Sequence, residues 1–118
     1  MDRGTLLIID DDRVTREAVS SILTAEGYHV LTAADGEEGI EVIRKNPVLE
    51  LILLDMMMPR MNGWGFLDFF RNCRYAATVP IVIMSAYTEM AKSVRPQAVV
   101  PKPIELQTLL NTVENLVA

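Results

Sequence analysis

The sequence predicts a single α/β domain, residues 1–118, built on a parallel sheet with helices on both faces. Two observations predict it. Short runs that are apolar at every position recur along the chain, as in strands buried on both sides, and segments with apolar residues at helical spacing separate them. A third observation bounds it. A chain of 118 residues suits one domain, and half of its residues are hydrophobic, enough for a core without disulfides or a structural metal.

The first run, Thr5-Leu6-Leu7-Ile8-Ile9, stops at acids and reads as a buried strand. From about Arg13 to Glu26, Val14, Ala18, Val19, Ile22 and Leu23 recur at helical spacing, and Gly27 is a natural terminator. Tyr28 to Ala33 reads as the second strand. Asp35 then suits an N-cap, with Glu37 and Glu38 in a solvated first turn where acids favour the helix dipole, and Asn46-Pro47 ends that helix. Glu50 to Leu54 is the third strand, Pro59 to Gly63 a loop, and Trp64 to Arg74 a helix carrying Phe66, Leu67, Phe69 and Phe70, with one ring expected to be exposed. Val79 to Met84 is the fourth strand, and a weaker helical stretch runs from about Thr88 to Val94. Ala98-Val99-Val100 is a short strand closed by Pro101, which suits a sheet edge. Ile104 to Val117 is the last helix.

In an open parallel sheet, ligands bind beyond the carboxyl ends of the strands. Asp10, Asp11 and Asp12 follow the first strand, Asp55 the third, Ser85 the fourth and Lys102 the fifth; the second ends quietly in Ala33-Ala34. Asp12 opens a helix and reads as its cap. Asp10 or Asp11 near Asp55 would bring like charges together and raise their pKa values. A hard divalent cation relieves that repulsion, and Mg2+ suits oxygen ligands best. Carboxylates serve as nucleophiles through aspartyl-phosphate intermediates, which makes Asp55 the candidate acceptor. Lys102 supplies a point charge and Ser85 a hydroxyl for the oxygens of a transferring phosphoryl group. Taken singly, these residues are a turn, a surface lysine and a strand-end cap; together on four strand ends they point to phosphoryl chemistry.

The remaining composition narrows the function. A net charge of −5 without a basic run disfavours nucleic acid. The single cysteine, Cys73, can form neither an internal disulfide nor a zinc site and reads as a free thiol near a helix. No apolar stretch approaches membrane-spanning length, and Met1-Asp2-Arg3-Gly4-Thr5 leads into a strand-like run instead of a signal peptide, which points to the cytoplasm. The methionines at 56–58 and 61 read as packing residues, His29 as an unpaired strand histidine, and Trp64 as a neighbour of the loop after the third strand.

The motifs Leu6-Leu7-Ile8-Ile9-Asp10-Asp11-Asp12, Leu53-Leu54-Asp55-Met56-Met57-Met58-Pro59-Arg60-Met61-Asn62-Gly63, Ile83-Met84-Ser85-Ala86 and Lys102-Pro103, in this order, resemble the receiver domain of two-component response regulators over essentially the whole chain. The resemblance implies a CheY-like, flavodoxin-like (βα)5 fold with strand order 2-1-3-4-5. It implies that Asp10 and Asp11 form the acidic pair, with Asp11 the direct Mg2+ ligand. Asp55 matches the phosphoacceptor and a further ligand, and Met57 the position whose backbone carbonyl completes the set. Ser85 matches the switch hydroxyl, Ala86 the small residue beside the phosphate, and Lys102 the lysine, in a cis bond to Pro103. The implied donor is a phosphohistidine on a sensor histidine kinase or phosphotransfer protein. The implied function is a phosphorylation-controlled switch, not an enzyme on other molecules, and with no output domain in this chain.

Two departures stand out. Ser85 and Lys102 lie 17 positions apart, where receivers of the usual pattern have several more, so the fourth helix is expected to be short or displaced. Val99 replaces the Tyr or Phe that many receivers carry there, and Tyr87 is the candidate to shield the phosphate instead. These changes touch the face through which similar domains form homodimers. The short fourth helix also favours an alternative, a phosphate-independent interaction module, which the intact Asp10, Asp11, Asp55, Ser85 and Lys102 oppose. A hydrolase using Asp55 ranks last, because the position two residues on, commonly an acid, is Met57.

Overall fold

The computed structural model describes residues 3–46 and 48–117, with Tyr75 described by its backbone alone. Five strands form one parallel sheet: β1 Thr5–Ile9, β2 His29–Ala33, β3 Leu51–Asp55, β4 Ile81–Ser85 and β5 Ala98–Pro101, in the order β2-β1-β3-β4-β5. The helices are α1 Arg13–Ala25, α2 Gly36–Lys45, α3 Gly63–Arg71, α4 Thr88–Lys92 and α5 Leu106–Leu116, with a 3-10 turn at Arg74–Ala77. This is the flavodoxin-like order. Its switch point lies between β1 and β3, and β5 with its terminal Pro101 sits at an edge.

Side-chain alternation along the inner strands divides the interior in two. Leu7, Ile9, Ile52, Leu54 and Ile83 face one side, against Phe66 and Phe70 of α3 and Ile40 and Ile43 of α2. Leu6, Ile8, Leu51, Leu53, Val82 and Met84 face the other, against Val19 and Leu23 of α1 and Leu109 and Val113 of α5. The strands read as continuously apolar because both of their faces are covered.

Several ends differ from the pattern in the sequence. The third and fourth strands run to Asp55 and Ser85, because these residues still pair with Met84 and Pro101 across the sheet. The fourth begins at Ile81 after Pro80, which has no amide to donate. The third helix ends at Arg71 and not Arg74, where Asn72 and Cys73 donate to Phe69 and Phe70 with i→i−3 spacing that tightens the chain toward the 3-10 turn. Of the three rings, one of them expected to be exposed, Phe66 and Phe70 are buried and Phe69 is half-buried beneath the Arg44 guanidinium, 5.7 Å from its centroid. The last helix starts at Leu106, because the Glu105 carboxylate caps the amides of Gln107 and Thr108. Asn46 caps α2; Pro47 and the first two residues, Met1 and Asp2, on which two expectations rested, lie outside the described residues.

The fourth helix is five residues long, Thr88–Lys92, as the spacing between Ser85 and Lys102 predicts. No side chain caps its start, and Ser93, Val94 and Arg95 close it with i→i−3 bonds. Arg95 then adopts a left-handed φ of 56°, which turns the chain toward β5.

Candidate functional site

The strand ends deliver the expected residues to one place. Ile9 pairs with Leu54, so Asp10 lies beside Asp55, and Asp55 and Ser85 each oppose the next strand's end. Asp10 is fully buried, Asp55 and Ser85 are buried, and Asp11 is exposed. Asp10, Asp11 and Asp55 each offer a carboxylate oxygen within 4.8 Å of the others. Lys102 places its Nζ 2.9 Å from Asp10 Oδ2 and 3.7 Å from Asp55 Oδ1. The Lys102-Pro103 bond is cis, as the resemblance implies.

Asp10 is held from several sides. Its Oδ1 accepts from the Asp12 amide at 2.9 Å, and Arg16 Nη1 donates to its backbone carbonyl at 2.8 Å. Asp12 caps α1, accepting from the Val14 amide and, at 2.6 Å, from the Thr15 hydroxyl, which does most to hold its pKa below the usual value. Ser85 Oγ accepts from the Tyr87 amide at 2.9 Å, which leaves the serine hydrogen free to point elsewhere.

Burial, and after it the charge of Asp10, pushes the Asp55 carboxyl up to about 6, against the opposing pull of Lys102. Crowding of like charges therefore contributes, but removal from water is the larger cause. Burial works against the charge of Lys102 as well, yet its hydrogen bond to Asp10 and the two nearby carboxylates outweigh that and raise its pKa.

Three carboxylates facing one ammonium leave two negative charges uncompensated, the charge of one divalent cation. The donors are all oxygens, two are buried and one opens to solvent. This donor set fits Mg2+, which is held by a few carboxylates and keeps waters.

Met57 is 58% exposed, and its amide lies 3.4 Å from Asp55 Oδ1. It shares a groove of about 460 Å³ with Asp11, Met58, Trp64 and Met90. Trp64 is thus near the loop after β3, as expected. Ala86 and Tyr87 are exposed beside Ser85, and Val99 packs against the α2–α3 side of the core. His29 is exposed on β2, and Cys73 is a free, half-buried thiol.

The end of β2 is less quiet than its two alanines suggest. Asp35 is 2% exposed. Its Oδ1 caps α2 through the Glu38 amide at 3.0 Å, and its Oδ2 accepts from Arg60 Nε at 2.7 Å and from Arg60 Nη2. Glu37 and Glu38, read as a solvated helix start, are exposed but lie 4.0 and 3.4 Å from the same guanidinium. The cap was legible; the arginine, 25 residues away, carried no local signal.

Comparison with known proteins agrees with this geometry. The profile of the family described as response regulator receiver domain matches residues 6–114. The chemotaxis response regulator CheY4 of Vibrio cholerae is 32% identical with a TM-score of 0.86, over 97% of this chain and 98% of that one. The receiver domain of the hybrid histidine kinase CckA is 31% identical with a TM-score of 0.83, over 98% and 100%. Response regulator RR06 of Streptococcus pneumoniae is 36% identical over 81 residues, 69% of this chain and 36% of its own length. The transcriptional regulatory protein AfsQ1 of Streptomyces coelicolor is 37% identical over 82 residues, 70% of this chain and 35% of its own length. The chain spans about a third of the length of these curated relatives.

Proposed function

This chain belongs to the response regulator receiver domain family, and from that premise we propose that it is a signalling switch thrown by phosphorylation of Asp55. The observation that carries the assignment to Asp55 is its position. It is a buried carboxylate within reach of two other acids, with Lys102 Nζ bridging it to Asp10.

Asp10, Asp11 and Asp55, with the Met57 carbonyl, would hold Mg2+. The bound ion would offset charge on the transferring phosphoryl oxygens. An oxygen of Asp55 attacks phosphorus of the donor phosphohistidine, the P–N bond breaks, and the departing imidazole nitrogen takes a proton. Lys102, already 3.7 Å from Asp55, can meet one phosphoryl oxygen as a point charge. Ser85, whose Oγ accepts from Tyr87, has its hydrogen available for another. Water later attacks the acyl phosphate and returns the carboxylate, so the catalysis is confined to the domain's own phosphorylation and dephosphorylation.

The partner is a sensor histidine kinase or phosphotransfer protein, met in the cytoplasm. No helix among the described residues is long and apolar enough to cross a membrane. Residues 1–118 make one receiver unit. The five-residue α4 is the one observation that favours a second reading, a phosphate-independent interaction module.

Incubation with Mg2+ and acetyl phosphate, followed by intact mass measurement, separates the two. The switch gains one phosphoryl group in the wild type and none in Asp55→Asn. No gain in the wild type, with no binding of beryllofluoride, leaves the interaction module.

A further inference from the structure

The segment from Met56 to Asn62, between Asp55 and α3, is fastened at both ends to backbone. The Gly63 amide donates to Met56 O at 3.0 Å, and the Gly36 amide donates to Met61 O at 2.9 Å. Both approaches exclude a side chain. A Cβ on Gly63 would lie 2.7 Å from Met56 Cα, and one on Gly36 would lie 2.8 Å from Met61 O.

Between these ties stands Arg60 at a φ of 58°, a left-handed conformation that arginine rarely adopts. Its side chain supplies the reason it is held there. Two guanidinium nitrogens donate to one oxygen of Asp35, whose other oxygen caps α2. Asp35 is 2% exposed, and α2 buries Ile40 and Ile43 against the sheet, so the anchor sits on a helix packed into the core. Burial pushes the Asp35 carboxyl up, but the Glu38 amide and Arg60 outweigh it and hold it below its usual value.

We propose that Asp35 and Arg60 are positioning residues for divalent-metal binding: the ion pair locks the segment after β3 so that the Met57 backbone is presented beside Asp55 and Asp11. This rests on the metal site proposed above. Neither residue touches the acids. They act through the segment, as the outer supports of a metal site commonly do, and losing such a support weakens metal binding substantially.

The test is calorimetric titration of Mg2+ into the wild type, Asp35→Asn, Arg60→Gly and the double variant, with urea unfolding of each in EDTA. Asparagine keeps the helix cap, and glycine relieves the left-handed φ, so each change removes the ion pair while sparing the local backbone. The Mg2+ Kd is expected to rise about 10-fold in each single variant, and no further in the double, because both remove one interaction. Arg60→Lys is expected to recover part of the affinity. A purely structural role would lower the urea midpoints and leave Kd unchanged, and that result overturns the inference. Arg60 has a side chain 58% exposed and no part in the core, so its variant keeps the test available even where Asp35→Asn folds poorly. A wild type that takes up no Mg2+, indistinguishable from Asp11→Asn, overturns the metal site itself and the inference with it.

Discussion

Replacing Asp55 by asparagine removes the most strained charge in the metal-free domain, and the fold should gain from its loss. The carboxyl titrates at about 6 in the folded chain against a reference of 3.8, chiefly through burial and then through Asp10. At 1.36 kcal/mol per pH unit, that gap corresponds to about 3 kcal/mol. The folded state holds the Asp55 proton more tightly than the unfolded state does. The stability this brings is therefore full below pH 3.8 and is lost as pH rises through about 6. At pH 8 in EDTA, Asp55→Asn should unfold at higher urea, by about 2–3 kcal/mol, and the advantage should shrink toward zero near pH 4. Mg2+ at about 1,000 times Kd should reverse the order, since it would stabilise the wild type by about 4.1 kcal/mol while the variant lacks one of the proposed ligands. An advantage that is the same at pH 4 and pH 8, or a variant less stable at both, would refute the account of Asp55 as a buried charge held for a cation.

Other perturbations should separate the same forces. Lys102→Met leaves Asp10 fully buried without its ammonium and should cost about 3 kcal/mol in EDTA, opposite in sign to Asp55→Asn, by urea unfolding. Asp35 keeps a lowered pKa in the folded chain, so its ionised form stabilises above pH 3.8 and the benefit fades as pH falls below it. The stability difference between wild type and Asp35→Asn should narrow progressively as pH falls below 3.8, and a gap that does not change with pH would assign it to something other than charge. Phe66→Ala opens a cavity between α3 and the sheet and should cost about 3–5 kcal/mol in a thermal or urea melt.

Much of this molecule is legible in its sequence where one residue carries its own signal. β1 and β3 announce themselves as apolar runs ending in acids, because both faces are covered and the acids mark the carboxyl ends of the strands, where the site is built. The stunted α4 is countable from the spacing of Ser85 and Lys102. Asp55 and Ser85 were read as lying beyond their strands; they are the last strand residues, since a polar side chain does not stop its backbone from pairing. The Asp35–Arg60 pair was out of reach. It joins positions 25 apart through a backbone conformation that arginine gives no sign of adopting. The expectation of one exposed ring among Phe66, Phe69 and Phe70 fell short for a related reason, since Phe69 is covered by the aliphatic-stemmed Arg44 of another helix.

The division of the interior has a consequence for how this chain tolerates change. Leu53 and Leu54 are neighbours in sequence yet sit in separate compartments, with the backbone of β3 between them. Side chains on opposite faces share no packing partners, so their substitution energies should sum simply, as those of distant sites do. A volume error under α5 need not be answered under α3. Each face can then drift on its own, and whatever surface α1 and α5 show the outside can be revised without disturbing the one built on α2 and α3.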